Sequence, residues 1–412
     1  STKKILQKWA DNVWDTGIVF GTVAAKRGET TVEVTTYRTE KYEEDSRKPD
    51  VEFGKSIEAD LARRDFTINA MALELTTDEP AFIDLFNGVL DLQKKIIKTP
   101  GKAEDSFSDD PLRMMRAARF MSQLNFEVEE SVLVAIKNMA ARLEIISAER
   151  IRDEFIKIMM SSSPRLGITL LVETGLSDYF LPEVPKLKLE IDEHHHHKDV
   201  YEHSLTVLEQ AIALEDRLSG ANLTLRLAAL LHDIGKPKTK QLIAGGGVSF
   251  HHHEVVGARM CKERMKKLRF DNHIINDVSQ LVFLHLRFHG YGSGEWTDSA
   301  VRRYVRDAGE LLTHLHLLTR ADCTTRNKKK AEGLARTYDQ LEERIELLMQ
   351  QEELNKIRPD LSGEQIMQIL GIKPSPAVGK AYDFLLELRL EHGPLGEEKA
   401  KQALLTWQKE QK

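Results

Sequence analysis

The stretch LARRDFTINAMALEL, residues 61–75, decides the fold at the front of the chain because a helix signal and a binding signal overlap in it. Asp65 and Thr67 are residue types that cap helices, and the apolar residues after them recur at helical spacing. The side chains expected to face a core are Ile68, Ala70, Met71 and Leu73. We therefore predict a short helix here, but capping leaves the two arginines before Asp65 unexplained.

The same stretch contains a set of hydrogen-bond donors, which are Arg63, Arg64 and Asn69. Guanidinium groups bind phosphate oxygens in pairs, and a side-chain amide can bond a sugar hydroxyl. The set therefore indicates a site for the polyphosphate and ribose of a nucleotide.

The composition is that of a globular protein. The chain has 412 residues, 41% of them hydrophobic and 30% charged, which excludes long disorder and predicts about two to four domains. A formal net charge of -6 provides no overall positive field, so any nucleic-acid site must be a local basic surface. Two cysteines, Cys261 and Cys323, are too few for a disulfide scaffold and favour a reducing cytoplasm. No apolar run is long enough to span a bilayer, so no membrane partner is expected.

The periodicity changes from strand-like to helical along the chain. Residues 1–14 have the pattern of an amphipathic helix, and residues 17–38 alternate β-branched and polar residues around KRGET, which predicts a hairpin. Residues 80–99 predict a strand, a turn and a short helix or strand, and the pattern is helical from about residue 105. The fold class is therefore α+β, with a small mixed sheet at the front and helices behind.

The stretch DDPLRMMRAARF, residues 109–120, begins a helix with Asp110 as the N-cap and Pro111 in the first position. Its arginines fall at threefold spacing with no acidic residue nearby, at Arg113, Arg116 and Arg119. Such a row repels itself unless an anion compensates it, which favours phosphate or base binding over the alternative of a solvated face. Asp110 and Arg113 are suited to reading cytosine or adenine, because a carboxylate accepts from the exocyclic amine of these bases.

In their order and spacing, RRDFTINA, DLFNGVLDL and DDPLRMMRAARF resemble the class II tRNA nucleotidyltransferases, the CCA-adding enzymes, and their poly(A) polymerase relatives. The resemblance runs from residue 1 to about 185. The matching nucleotide-binding positions are Arg63, Arg64, Asp65 and Asn69 for ribose and triphosphate, Asp110 and Arg113 for the base, and Arg116 for triphosphate. Glu33, on the strand VEVTTYR, matches the third acidic position of the family.

This family also has a glycine-rich GG-x-VRD segment and a strand with two carboxylates at i and i+2, which hold metal ions for in-line nucleotidyl transfer. Neither is present here, and the first helix resembles the one that follows them in the family. We therefore expect an N-terminally truncated part of an active parent, with Mg²⁺ bound by the missing carboxylates and Glu33. The chain as given is expected to transfer nucleotides poorly or not at all.

A second group of candidate residues is built on histidine. LLHDIGKPK, residues 230–238, places His232 and Asp233 side by side at the end of an apolar helix. Their side chains diverge by about 100°, so both can reach an ion that lies between them. Candidate partners on apolar helical sequence are His203, His253, His285 and Asp322. A lone buried histidine usually belongs to a core, whereas this group indicates a metal site.

The spacing of these residues resembles the HD superfamily of metal-dependent phosphohydrolases over about residues 190–330. The resemblance implies core ligands at His203, His232, Asp233 and Asp322, and second-metal ligands at His253 and His285. Lys236 is placed to hold a phosphate. Such ligands suit a divalent transition metal or Mg²⁺, and the site would activate water to hydrolyse a phosphomonoester or a cyclic phosphodiester.

Two further segments give weaker signals. The run His194 to His197 predicts an exposed loop, in which His197 is a weak ligand candidate. Residues 328–354 predict a long solvated helix leading to a last helical unit, where Gly371 and Gly379 would let the backbone approach phosphates.

Together, the motifs predict a bacterial-type CCA tRNA nucleotidyltransferase with a fused HD domain, adding C, C and A from CTP and ATP to the tRNA 3′ end. The alternatives are a poly(A) polymerase and an HD phosphohydrolase with a remnant RNA-binding head. The expected domains are a partial head with a palm-like sheet (1–100), a helical neck that binds nucleotide and RNA (101–188), the HD domain (189–332) and a helical tail that contacts tRNA (333–412).

Overall fold

The computed structural model describes residues 2–17, 21–41, 50–53, 56–76, 78–189, 199–243, 248–288, 296–324, 327–352 and 357–411. It divides into two units, Ser1–Pro185 and Lys186–Lys412. The run His194 to His197, with the weak ligand candidate His197, lies outside the described residues. Among the helices in these ranges, none has both the length and the apolar content that a membrane span requires.

The first unit opens with helix α1 (Thr2–Trp9) and three antiparallel strands in the order β1 (Asn12–Gly17), β2 (Thr22–Arg27) and β3 (Thr30–Thr35). The predicted hairpin is therefore confirmed, and Gly28 makes its two-residue turn at φ +57°. Leu6 of α1 packs on Val23 and Ala25 of β2. The expectation of a helix over residues 1–14 was wrong beyond Trp9, because Asn12–Gly17 pairs with β2 instead.

The remaining elements of this unit are mostly helical. They are β4 (Arg38–Lys41), β5 (Asp50–Phe53), α2 (Ile57–Ala62), β6 (Ala72–Glu74), β7 (Ala81–Ile83), α3 (Gly88–Lys94), β8 (Ile96–Ile97), α4 (Ala103–Asp109), α5 (Leu112–Leu124), β9 (Glu127–Val128), α6 (Glu130–Met139), α7 (Ala148–Met159) and α8 (Pro164–Glu173). The pairs β4–β5 and β6–β7 are antiparallel, and β8–β9 is parallel. The α+β class is confirmed. In place of one front sheet, the first unit has several small sheets.

The predicted helix within residues 61–75 does not form. The chain makes a single 3-10 turn at Thr67–Asn69 and then enters β6, whose backbone pairs with β7. Ala70 is buried as expected, but Leu73 is 54% exposed, so its assignment to the core was wrong. Thr67 does not cap a helix either, because its hydroxyl donates to Asp91 at 2.7 Å.

Helix α5 is the centre of the first unit. Its buried face is formed by Leu112, Met114, Met115, Ala117 and Ala118. It packs on α7 and on α8, where Gly167 brings the two backbones close together. This packing holds the row of arginines on α5 in a fixed position.

The described residues of the second unit form helices and one antiparallel pair of short strands. Its elements are α9 (Val200–Ala213), α10 (Leu223–Leu231), α11 (Lys236–Thr239), β10 (Gln241–Leu242), β11 (Val248–Ser249), α12 (His253–Lys267), α13 (Asn272–Leu284), α14 (Asp298–Ala308), α15 (Leu312–Asp322), α16 (Lys328–Glu352), α17 (Gly363–Leu370), α18 (Pro376–His392) and α19 (Glu397–Glu410). Helices α9, α10, α13 and α15 pack together, and α17 to α19 form a separate apolar cluster. Helix α16 was expected to be solvated, but one face of it is buried through Tyr338, Leu341, Ile345 and Leu348.

Replacing Gly167 with alanine should destabilise the first unit. A Cβ at this position would overlap the hydroxyl of Ser122 and lie 2.8 Å from the carbonyl oxygen of Ala118. We expect the free energy of unfolding to fall by about 1–3 kcal/mol, the usual range for overpacking. Gly101→Ala is the matched control, because its Cβ would meet no atom within 4 Å. Equal thermal unfolding midpoints for the two variants would contradict the close α5–α8 contact.

Candidate active sites

The carboxylate of Asp60 holds both arginines of the Arg-Arg-Asp segment. Asp60 is 4% exposed, and Arg63 donates to its Oδ1 from Nε at 3.1 Å and from Nη2 at 2.6 Å. Arg64 donates to Oδ2 at 3.2 Å. Burial alone would raise the pKa of Asp60, but the two guanidinium groups outweigh it and lower the pKa. Sequence reasoning missed Asp60, although its i, i+3 and i, i+4 spacing to the arginines was a usable signal.

Asp65 joins the segment to α5. Its Oδ2 accepts from Arg116, with Nε at 2.8 Å and Nη2 also bonded, and its Oδ1 accepts from the Phe66 N–H at 2.9 Å and from Asn69 at 3.1 Å. Phe66 also packs edge-to-face on Phe120, with ring centroids 5.7 Å apart. Burial would raise the pKa of Asp65, but Arg116 and the other donors lower it. Both carboxylate oxygens of Asp65 therefore accept hydrogen bonds from protein donors.

The proposed base-reading pair is held by separate partners. Asp110 accepts from the Leu112 N–H at 3.2 Å with Oδ1 and from Arg150 at 2.9 Å with Oδ2. Arg113, 8% exposed, donates from Nη2 to the backbone carbonyl of Arg63 at 2.6 Å. Arg113 therefore links the start of α5 directly to the arginine segment.

The expectation that the α5 arginines have no acidic partner was wrong for two of them. Arg116 pairs with Asp65, and Arg119 pairs with Glu154 at 3.0 Å. These partners are 51 and 35 residues away along the chain, so no local pattern revealed them. Glu33 is exposed on β3 opposite Ala24, and in the described part of the chain no hydrogen bond or ion pair joins it to this group of side chains.

In the second unit, His203, His232 and Asp322 bring ligand atoms within 4.8 Å of one another. The Nε2 atom of His203 lies 2.9 Å from Asp322 Oδ1 and 3.3 Å from Nε2 of His232. All three side chains end facing the same point, as a metal ion requires.

Asp233, His253 and His285 form an adjacent group. Asp233 Oδ1 lies 3.2 Å from His253 Nε2, while its Oδ2 lies 3.1 Å from Nε2 of His232 in the first group. One buried carboxylate therefore borders both groups. This arrangement fits two ions that share a bridging ligand.

The outer nitrogens of the imidazoles are fixed by other contacts. Nδ1 of His232, His253 and His285 faces the backbone carbonyls of Ala229, Phe250 and Val282 at 2.8, 2.8 and 2.6 Å. A carbonyl only accepts, so each Nδ1 carries a proton, and Nε2 is the ring nitrogen that faces the group. Such orientation of the ring through its second nitrogen is typical of metal ligands.

The electrostatics of the histidine groups favour a cation. Burial would lower the pKa of His232, but Asp233 and Asp322 outweigh it and raise the pKa to about 9. Burial and the cationic His232 lower the pKa of His285 to about 3. Burial would raise the pKa of Asp233, but His232 and Lys236 keep it well below its ordinary value. The position between the rings therefore attracts positive charge, which a proton or a metal ion can supply.

Two residues beside Asp233 shape the site. Lys236 is 7% exposed, with its Nζ 2.9 Å from Asp233 Oδ2. A Cβ on Gly235 would overlap the backbone carbonyl of His253 and lie 2.7 Å from Gly257 N. Only a glycine therefore lets the turn after Asp233 contact the start of α12.

Three family models match the chain. Residues 1–98 match the poly A polymerase head domain, residues 125–187 match the probable RNA and SrmB-binding site of polymerase A, and residues 200–327 match the HD domain. The two groups of candidate residues described above fall within or between these ranges.

Two relatives illustrate the similarity. An A-adding tRNA nucleotidyltransferase of Deinococcus radiodurans is 34% identical over 341 residues, which are 81% of this chain and 75% of the relative. A CCA-adding enzyme of Lactobacillus delbrueckii subsp. bulgaricus is 48% identical over 165 residues, which are 40% of this chain and 41% of the relative. The chain therefore spans about two fifths of the length of the second relative.

Solved structures share the fold. The Bacillus stearothermophilus CCA-adding enzyme in complex with CTP matches 100% of this chain and 87% of its own, with a TM-score of 0.70 and 21% identity. The Thermotoga maritima CCA-adding enzyme complexed with tRNA matches 98% of this chain and 83% of its own, with a TM-score of 0.57 and 19% identity.

Acid should reduce the stabilisation that Asp65 provides. Its pKa in the folded state lies below the ordinary value, so the ionised, paired carboxylate stabilises the first unit above about pH 4, and this contribution is lost as the pH falls further, through the lowered folded-state pKa. At about pH 7, Asp65→Asn should lower the free energy of unfolding by about 1–3 kcal/mol, and the difference from wild type should shrink at about pH 3.

Urea unfolding at both pH values measures this difference. Asp153→Asn is the matched control, because its pair with Arg152 is exposed and should contribute little. A difference for Asp65→Asn that stays constant with pH would contradict the ion pair.

Proposed function

Because the chain belongs to the tRNA nucleotidyltransferase and poly(A) polymerase family with a fused HD domain, we propose that it adds C, C and A from CTP and ATP to the 3′ end of tRNA. The observation that carries this proposal is the bonded network in which Arg113 contacts Arg63 and Arg116 contacts Asp65. It places base-reading and phosphate-binding candidates in one rigid group. The relatives are named for A addition and for CCA addition, and the solved structures are complexes with CTP and with tRNA. These similarities support the proposed substrates.

The residues of this group have distinct proposed roles. Arg63 and Arg64 bind the triphosphate, and Asn69 bonds the ribose. The Asp110 carboxylate accepts from the exocyclic amine of cytosine or adenine, and the Arg113 guanidinium donates to a ring nitrogen or carbonyl. UTP is disfavoured because uracil has no exocyclic amine, and GTP is disfavoured because the amine of guanine lies next to the N1–H donor on its Watson–Crick edge and not next to an acceptor.

Nucleotidyltransferase and HD domains use divalent metal ions. For the transfer reaction we propose Mg²⁺, with Glu33 as one oxygen ligand, because its exposed carboxylate is of the type that Mg²⁺ prefers. When bound, the ion neutralises charge on the triphosphate. We place the reaction in the cytoplasm, where the free thiols of Cys261 and Cys323 would stay reduced.

Addition to tRNA that lacks CCA tests the proposal and separates its alternatives. The protein should add two residues with CTP alone and a third when ATP is present. Arg64→Ala should raise KM for both nucleotides about tenfold or more, since it removes a phosphate contact, and Asp110→Ala should admit UTP or GTP.

Two results would contradict CCA addition, and a third would contradict the proposed residue roles. ATP incorporation into tRNA already ending in CC, without use of CTP, would assign A addition, and a long A tail would assign poly(A) synthesis. Unchanged kinetics for Arg64→Ala and Asp110→Ala would overturn the residue roles. Arg152→Ala is the control variant, since Arg152 pairs with the exposed Asp153 on α7.

The second unit supports a second activity, hydrolysis of a phosphomonoester or a cyclic phosphodiester. The specific observation is that Asp233 borders both histidine groups, as in a two-ion site. Bound metal ions would supply an activated water and Lewis acidity. Lys236, next to Asp233, would neutralise a phosphate oxygen of the substrate.

Metal content and phosphate release test this activity. After loading with Mn²⁺ or Ni²⁺, wild type should hold up to two ions for each chain. Asp233→Asn should lose both ions and the hydrolysis, whereas His253→Ala should lose one ion. His251→Ala is the control, because His251 is exposed beside these groups. Full metal content in Asp233→Asn would overturn the shared site, and nucleotide addition should be unaffected in all three variants.

A further inference from the structure

Arg113 is unlike the other two arginines of its helix. Arg116 and Arg119 each pair with a carboxylate. Arg113 is 8% exposed and bonds only neutral acceptors in the part of the chain that the structure describes. Its positive charge is therefore buried without an acidic counterpart among the described residues.

Ser106 provides the side-chain contact to this guanidinium. Its hydroxyl accepts from Arg113 Nη1 at 2.9 Å, and its backbone carbonyl accepts from the same nitrogen at 3.3 Å. Ser106 lies in the last turn of α4 and is 9% exposed. A neutral hydroxyl fixes the direction of a guanidinium while leaving its charge for another partner.

Ser106 also contacts the other member of the base-reading pair. Its carbonyl accepts from the backbone N–H of Asp110 at 3.2 Å. The backbone carbonyl of Ser106 thus makes a hydrogen bond at the end of α4, and the side chain of Ser106 binds Arg113 seven positions later. The relative placement of Asp110 and Arg113 therefore depends on Ser106.

We propose that Ser106 is a positioning residue that sets the direction of the Arg113 guanidinium and thereby the choice of CTP and ATP over UTP and GTP. The proposal rests on the base-reading role assigned to Asp110 and Arg113 above. A carboxylate at this position would pair with Arg113 and hold it away from the base, whereas a methyl group would leave it without its side-chain acceptor.

Equilibrium binding of the four nucleotides tests this proposal, with their relative incorporation into tRNA as a second measurement. Ser106→Ala should reduce the preference for CTP over UTP and for ATP over GTP by about tenfold, which corresponds to about 1.4 kcal/mol. Ser106→Thr keeps the hydroxyl and should restore the preference. Ser106→Asp should weaken the binding of CTP and ATP.

The preference ratio separates positioning from a structural role. A loss of folding alone would lower the unfolding midpoint and weaken the binding of all four nucleotides together. The preference for CTP over UTP and for ATP over GTP would then stay unchanged. Ser108→Ala, on the exposed face of α4, is the matched control and should match wild type.

Two results would overturn the inference, and they are distinguishable. If wild type prefers CTP and ATP but Ser106→Ala keeps the full preference, Ser106 has no positioning role and the proposed function stands. If wild type shows no preference in binding or incorporation, the base-reading role fails and the inference fails with it.

Discussion

A buried carboxylate must be met by a cation or by several hydrogen-bond donors, and this constraint organises both units of the protein. Leaving such a charge unpaired would destabilise the fold by several kcal/mol. In the first unit, Asp60, Asp65 and Glu154 each hold an arginine from a neighbouring turn or helix. In the second unit, Asp233 is surrounded by imidazoles and Lys236.

The pairing has a consequence for binding in the first unit. Each carboxylate fixes an arginine and also neutralises it, so the fixed arginines have less charge to offer a ligand. Arg113 has a fixed position without this neutralisation, because carbonyls and a hydroxyl hold it. A side chain that is both immobile and uncompensated is suited to reading a base edge, since little freedom is lost on binding.

Sequence patterns predicted local features and missed distant pairings. Alternation around Gly28 predicted the hairpin, and Asp110 with Pro111 predicted the start of α5 to within one residue, because both signals depend on adjacent residues. The N-cap of α5 is Pro111 and not Asp110, whose carboxylate accepts from the Leu112 N–H. The helix predicted within residues 61–75 failed because tertiary pairing of β6 with β7 outweighed helical spacing. The pairing of Glu154 with Arg119 was not predicted for a similar reason, since the two residues lie 35 positions apart in the chain. The histidine candidates were found because each stood out on apolar sequence. The structure brings together all of those that it describes. Their division into two groups was not predicted, because it depends on how the helices pack.

The glycine two residues after Asp233 also bears on which ions the proposed metal site of the second unit would accommodate. A Cβ at Gly235 would overlap the backbone carbonyl of His253, so the main chain of this turn lies against the main chain at the start of α12. Side chains adjust to a larger ion by rotating, whereas main chain in contact with main chain does not. Discrimination by ionic radius at the proposed site would therefore depend in part on a residue that has no side chain and offers no ligand atom.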